Sequence, residues 1–245
     1  GVRLMGFAVL TFLTGVVSTA EATVQLQLLR LKLRQTLDRY LSPAVASWIA
    51  DKPETVVNAL GGEASEVVIM ISDVRGFTER TRQMSDAGRA ADLVKQLNSY
   101  FTEVVEEVHF HGGTVDKFIG DAVLVVFGAP LNRGFKVEVE SALKASIGLH
   151  RRLGKLNQSW EAEGRDPWQH VVALNFGTVI SGNIGSISRM EYTVIGDAVN
   201  TCSRLEAVAK QLNRTTVLSE AVAKRAGDDW QLEDLGPQEI RGVGL

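Results

Sequence analysis

The 245-residue chain is predicted to form an α/β (α+β) sandwich on a mixed or antiparallel sheet. Three observations predict it. Apolar strand-like runs alternate with helix-length segments along most of the chain. Hairpin signals at Gly120-Asp121 and near Gly177 join consecutive strands antiparallel. Neither a Walker loop nor a dinucleotide fingerprint is present, which argues against a doubly wound nucleotide-binding sheet.

The elements follow in order. Val67, Val68, Ile69, Met70 and Ile71 form an apolar strand over 66–73 that ends in Asp73. Helices occupy 77–110. Strands at 113–119 and 122–127 flank the Gly120-Asp121 turn, and a helix follows over 136–162. Strands at 169–176 and 178–184, a helix at 197–211, a strand at 215–218, a short helix at 219–225 and a strand at 230–235 complete the domain.

The N-terminal residues differ in character. From Leu4 to Ala20 no residue is charged, a length at the short end of a membrane-spanning helix. Arg30, Lys32, Arg34 and Arg39 follow it, against Arg3 alone before it, so the C-terminal part is expected in the cytoplasm beneath the cell membrane. Leu26, Leu29, Leu33, Leu37 and Tyr40 recur at helical steps, the pattern of a stalk that pairs two chains. Ser42-Pro43 reads as a helix start, and Lys52-Pro53 and Gly61-Gly62 punctuate a linker. The expected organisation is a transmembrane helix at 1–21, a stalk and linker at 22–62 and a catalytic domain at 63–245. Gly at position 1 points to a piece of a longer protein, with any sensor before it.

Composition narrows the function. The net charge is −3 with no basic block, which gives no footprint for nucleic acid. One cysteine, Cys202, excludes an internal disulfide and a cysteine-rich zinc site. None of the four histidines stands at a ligand spacing.

Two carboxylates carry the chemistry. Asp73 ends one apolar strand, and Asp121 sits in the turn that opens another. Asp beside Gly is ordinary turn chemistry, but two such carboxylates on neighbouring strands make a hard-oxygen pocket for Mg²⁺ or Mn²⁺. That is the layout of a two-metal phosphoryl-transfer site. In the helix after Glu191-Tyr-Thr-Val-Ile-Gly-Asp, Asn200 and Arg204 stand at i, i+4 and share a face, suited to a sugar and a phosphate.

The runs Ile71 to Thr78, Val115 to Asp121 and Glu191 to Arg204 together resemble the signatures of class III nucleotidyl cyclases, over about residues 65–245. The resemblance implies a ferredoxin-like catalytic domain that works as a homodimer with each active site shared between two chains. It implies that Asp73, Asp121 and the Val74 carbonyl hold two divalent cations, Mg²⁺ or Mn²⁺, with Ca²⁺ an option at one position. Arg204 would stabilise charge on the α-phosphate and Asn200 would orient the ribose. Arg241 aligns with a triphosphate contact, and the amides from Arg75 through Gly76, Phe77 and Thr78 would cradle phosphate at a helix start.

Base choice falls to Lys117 and Thr193. An ammonium donates to N1 of adenine, and a Thr hydroxyl accepts from the 6-amino group; guanine inverts both positions. A hydroxyl also donates, so Thr193 rejects guanine less firmly than Asp would. Lys with Thr resembles the membrane-anchored bacterial subclass IIIb, often responsive to bicarbonate, and implies an adenylyl cyclase acting on ATP. A guanylyl cyclase and an inactive cyclase-like dimerisation module stay open. The chain departs from the family's pattern at Ile71, where Phe is usual, and it stops at Leu245, where a last strand is usual.

Overall fold

Five consecutive apolar residues, Val67 to Ile71, make β1 (Gly61–Val74) the central strand of a six-stranded sheet. The computed structural model describes residues 61–186 and 189–238, together with Glu21 and residues 23–28. β3 (Ala122–Phe127) and β4 (His170–Ser186) flank β1 antiparallel, with Met70 opposite Val125 on one side and Leu174 on the other. β2 (Thr114–Ile119) pairs with β3, and β5 (Arg189–Ile195) pairs with the second half of β4. The order is β2-β3-β1-β4-β5, and β6 (Thr216–Leu218) lies parallel beside the first half of β4. The mixed or antiparallel sheet expected is therefore present, antiparallel along its main path with β6 parallel.

Side chains alternate along a strand, so β1 supplies both faces of the sheet. Val68, Met70 and Val74 pack with Tyr100 and Val104 of α2 (Ala90–Phe110) and Val139, Leu143 and Leu149 of α3 (Phe135–Ala162). Helix α1 (Phe77–Asp86) adds Phe77 to the edge of this core. On the other face Val67, Ile69 and Ile71 meet Ala198, Cys202, Leu205 and Ala209 of α4 (Asp197–Gln211). These α4 positions step by four, three and four, the spacing of one helical stripe. The short α5 (Glu220–Ala223) starts at Ser219, whose hydroxyl accepts from the Val222 amide.

Three expectations fail. Gly61 and Gly62 belong to β1, opposite Asn183 and Gly182 of β4, and not to a linker. No hairpin forms at Gly177, because β4 runs unbroken from His170 to Ser186 and the chain reverses only before Arg189. Gly177 serves close packing instead: a Cβ there would stand 2.8 Å from Cβ of Ala198. Residues 230–235 form no strand; Trp230 and Leu235 pack against the two cores without joining a ladder.

The chain divides into two compact units, 1–46 and 47–245. In the first, residues 23–28 are helical and exposed. The expected span at 4–20, the stripe beyond Leu26 and the Ser42-Pro43 start lie outside the described residues, as does Arg241. Among the described residues no helix is long and apolar enough to cross a membrane.

A buried polar chain runs beneath the end of β1. Ser72 Oγ lies 2.7 Å from the Tyr100 hydroxyl, which lies 3.1 Å from His170 Nδ1. His170 Nε2 meets His150 Nδ1 at 2.7 Å, and His150 Nε2 meets Thr216 Oγ1 at 2.7 Å. Burial, then the neighbouring His150, pushes His170 down from 6.5 to about 3. A depressed histidine favours the fold only while neutral, so its stabilisation is complete above pH 6.5 and drains away as pH falls toward 3. The melting temperature is expected to drop through that window, and His170→Asn should flatten the slope. An equally steep slope in the variant would assign the acid sensitivity to other groups.

Candidate active site

The register of the sheet brings the two aspartates together. Ser72 of β1 lies opposite Val123 of β3, so Asp73 and the turn residue Asp121 emerge side by side at one end of the sheet. Gly120 takes φ 65°, the left-handed conformation that this turn requires and glycine supplies. Asp121 is pushed above the usual carboxylate range, first by burial and then by the charge of Asp73. A third group closes the cluster. Lys210, in the last turn of α4, places Nζ 2.8 Å from Asp73 Oδ1 and 2.7 Å from Glu206 Oε1. Burial opposes its charge, but Asp73 and Glu206 together raise its pKa.

These residues fit a divalent cation. Two adjacent carboxylates repel one another, and here an ammonium already supplies the positive charge that they require. Both donors are hard oxygens. No group of three or more His, Cys, Asp or Glu that could hold a metal ion occurs among the described residues. Val74, the third ligand expected, is buried in the same strand end.

The segment expected to cradle phosphate follows directly. Gly76 precedes α1 with φ 67°, and Thr78 is exposed in its first turn. Phe77 turns its ring inward, edge-on to Trp168 at 5.9 Å. Arg75 is held back by two carbonyls, donating to Arg214 at 2.8 Å and to Ala209 at 3.3 Å.

Lys117 and Thr193 meet at a different place. β2 and β5 end the strand path on opposite sides, yet Thr193 donates to Asp116 Oδ2 at 2.9 Å. Lys117 Nζ lies 3.0 Å from Glu191 and 3.6 Å from Asp116. Its ammonium is raised by these carboxylates against the opposing effect of burial, so it stays charged. The two residues expected to read a purine are thus linked through one carboxylate.

Asn200 and Arg204 stand on one face of α4, Asn200 exposed and Arg204 with Nη1 buried and unpartnered among the described residues. Arg204 does not face Asp73 of its own chain. Six residues separate it from Lys210, which is about 9 Å along the axis and roughly 120° around it, and Lys210 is the α4 residue that touches Asp73. The structure thus gathers Asp73 with Asp121 and Lys117 with Thr193 at separate places, and leaves Nη1 of the half-buried Arg204 without a hydrogen-bond partner among the described residues. Sequence reasoning missed Lys210, Glu206 and Asp116.

The family described as the adenylate and guanylate cyclase catalytic domain matches residues 62–244. An adenylate cyclase of Anabaena cylindrica is 32% identical over 216 residues, covering 84% of this chain and 40% of that protein. Adenylate cyclase 1 of Rhizobium meliloti is 30% identical over 74% of this chain and 27% of its own length. This chain therefore spans less than half of these curated relatives. Among solved structures, the adenylyl cyclase CyaB from P. aeruginosa superposes with a TM-score of 0.69 at 31% identity, covering 76% of this chain and 92% of that one. The guanylyl cyclase Cya2 superposes with a TM-score of 0.67 at 31% identity, covering 75% and 89%.

Proposed function

From the premise that the chain belongs to the adenylate and guanylate cyclase catalytic-domain family, we propose that it is an adenylyl cyclase, converting ATP to 3′,5′-cyclic AMP and pyrophosphate. The observation that carries ATP over GTP is the union of Lys117 and Thr193 through Asp116. A charged ammonium beside a hydroxyl matches the acceptor N1 and the donor 6-amino group of adenine. The similarity to the guanylyl cyclase Cya2 keeps GTP as the second reading.

In the reaction the ribose 3′-oxygen bonds to the α-phosphorus, the bond to the β-phosphate oxygen breaks, and the hydroxyl proton leaves to solvent. Mg²⁺ or Mn²⁺ held by Asp73, Asp121 and the Val74 carbonyl would lower the pKa of that hydroxyl and neutralise the triphosphate. Arg204 donates to the α-phosphate as its charge grows, and Asn200 fixes the ribose. Gly76 to Thr78 lie at the phosphate end of α1. Since Arg204 is turned from its own Asp73, a homodimer would complete each site, one chain giving the aspartates and its partner giving Lys117, Thr193, Asn200 and Arg204. We also place this domain on the cytoplasmic side of the membrane, tethered through residues 4–20, where ATP is at hand.

Purified protein incubated with ATP or GTP and Mn²⁺, with the product identified by mass, tests the assignment. Cyclic AMP is expected as the main product. Preferential formation of cyclic GMP would reassign the substrate, and no cyclic product from a folded dimer would leave a signalling module.

A further inference from the structure

Asp116 lies where β2 breaks register. Val115 pairs with Val125 and Lys117 with Leu124, so Asp116 is the extra residue of a bulge. A bulge re-aims a side chain, and here it sends the carboxylate across to β5, a strand that is not β2's sheet neighbour. The Asp116 side chain is only 4% exposed, and Thr193 is buried as well. Burial pushes the Asp116 carboxyl up, while the Thr193 hydroxyl and the Lys117 ammonium act to hold it ionised; Glu191 opposes them.

A hydroxyl carries one proton and two lone pairs. Thr193 commits its proton to Asp116 at 2.9 Å, and an ionised carboxylate only accepts. Only lone pairs remain for a ligand. We infer that Asp116 is a positioning residue that turns Thr193 into an acceptor toward the purine, and so sets the discrimination between 6-amino and 6-oxo nucleotides. The inference rests on the reading of Lys117 and Thr193 as the purine-edge pair. It removes the ambiguity of threonine: with its proton occupied, the hydroxyl refuses a 6-oxo group as a carboxylate would.

The test compares kcat/KM for ATP with that for inosine 5′-triphosphate, which carries a 6-oxo group and lacks the 2-amino group. Asp116→Asn lets an amide donate to Thr193 and frees the hydroxyl proton. The ratio of inosine triphosphate to ATP turnover is expected to rise on the order of tenfold, the scale of one hydrogen bond. Asp116→Ser, which also lacks the carboxylate, runs in parallel so that misfolding of one variant leaves the other to decide. Added to Thr193→Ala, Asp116→Asn should change the ratio no further. A merely structural role would lower both rates and leave the ratio alone. If Thr193→Ala shifts the ratio and both Asp116 variants leave it at the wild-type value, the positioning role is overturned while the purine-edge reading stands. If neither Thr193→Ala nor Lys117→Ala shifts it, the purine-edge reading itself falls and takes the inference with it.

Discussion

Co-expression of Asp73→Ala and Arg204→Ala chains is expected to return about a quarter of wild-type cyclase activity, although each variant alone is almost inactive. The reasoning starts at α4. Lys210 in its last turn touches Asp73, and Arg204 stands about two turns back on a face roughly 120° away. A chain cannot bring both Asp73 and Arg204 to one phosphate if its own helix points them apart, but a twofold partner can. Asp73→Ala removes one of the two carboxylates proposed to hold the cations, so its activity should vanish. Arg204→Ala loses one transition-state donor, on the order of 10²–10³ in rate. Random pairing makes half of the dimers mixed, and each mixed dimer keeps one intact site of two. The quarter is read on the unsorted co-expressed protein; dimers isolated through two different affinity tags are all mixed and should show about half of wild-type activity. Mixed dimers as inactive as their parents would put the whole site in one chain.

Trp168→Ala is expected to cost roughly 3–5 kcal/mol of stability. Trp168 is 1% exposed and sits among Phe77, Tyr100 and Trp160, with ring centroids 5.9, 6.3 and 5.2 Å away. Its indole N–H has no hydrogen-bond partner among the described residues, so the ring stabilises by packing and by the Arg80 guanidinium, 5.9 Å from its centroid. Asn157 clamps its backbone with two hydrogen bonds of 2.8 Å, which keeps the segment from collapsing into the void. Trp168→Phe should recover most of the loss. Urea unfolding measures both variants, and an unchanged midpoint for Trp168→Ala would show that the neighbours refill the site.

The carboxylate pair was legible because its signal is local. An apolar strand that ends in Asp and a Gly-Asp turn between two strands each declare themselves within eight residues. Helix α4 was legible for the same reason, its stripe being contained in its own sequence. What escaped depends on which residues the sheet brings opposite one another. Asp116 reads as a strand residue until the β2–β3 register makes it a bulge. Lys210 lies 137 positions from Asp73 and finds it only because α4 crosses β1. His150 and His170 form no ligand spacing, and only the packing of α3 over β4 joins them. Gly177 looked like a turn because glycine commonly marks one, whereas the helix above it requires a missing side chain. The strand expected at 230–235 fails because Trp230 and Leu235 each pack against a different core without joining a ladder.

The absence of a side chain at Gly177 also has a consequence for precision. Helix α4 carries Asn200 in its first turn, Arg204 at its middle and Lys210 at its end on one rod. Its height above the sheet is fixed where Ala198 comes down on Gly177, with no space left for even a methyl group. Such a seat works as a gauge block: it has one setting, and every residue larger than glycine shifts the whole rod upward. The tolerance on the arginine and the asparagine is therefore machined into one glycine of β4.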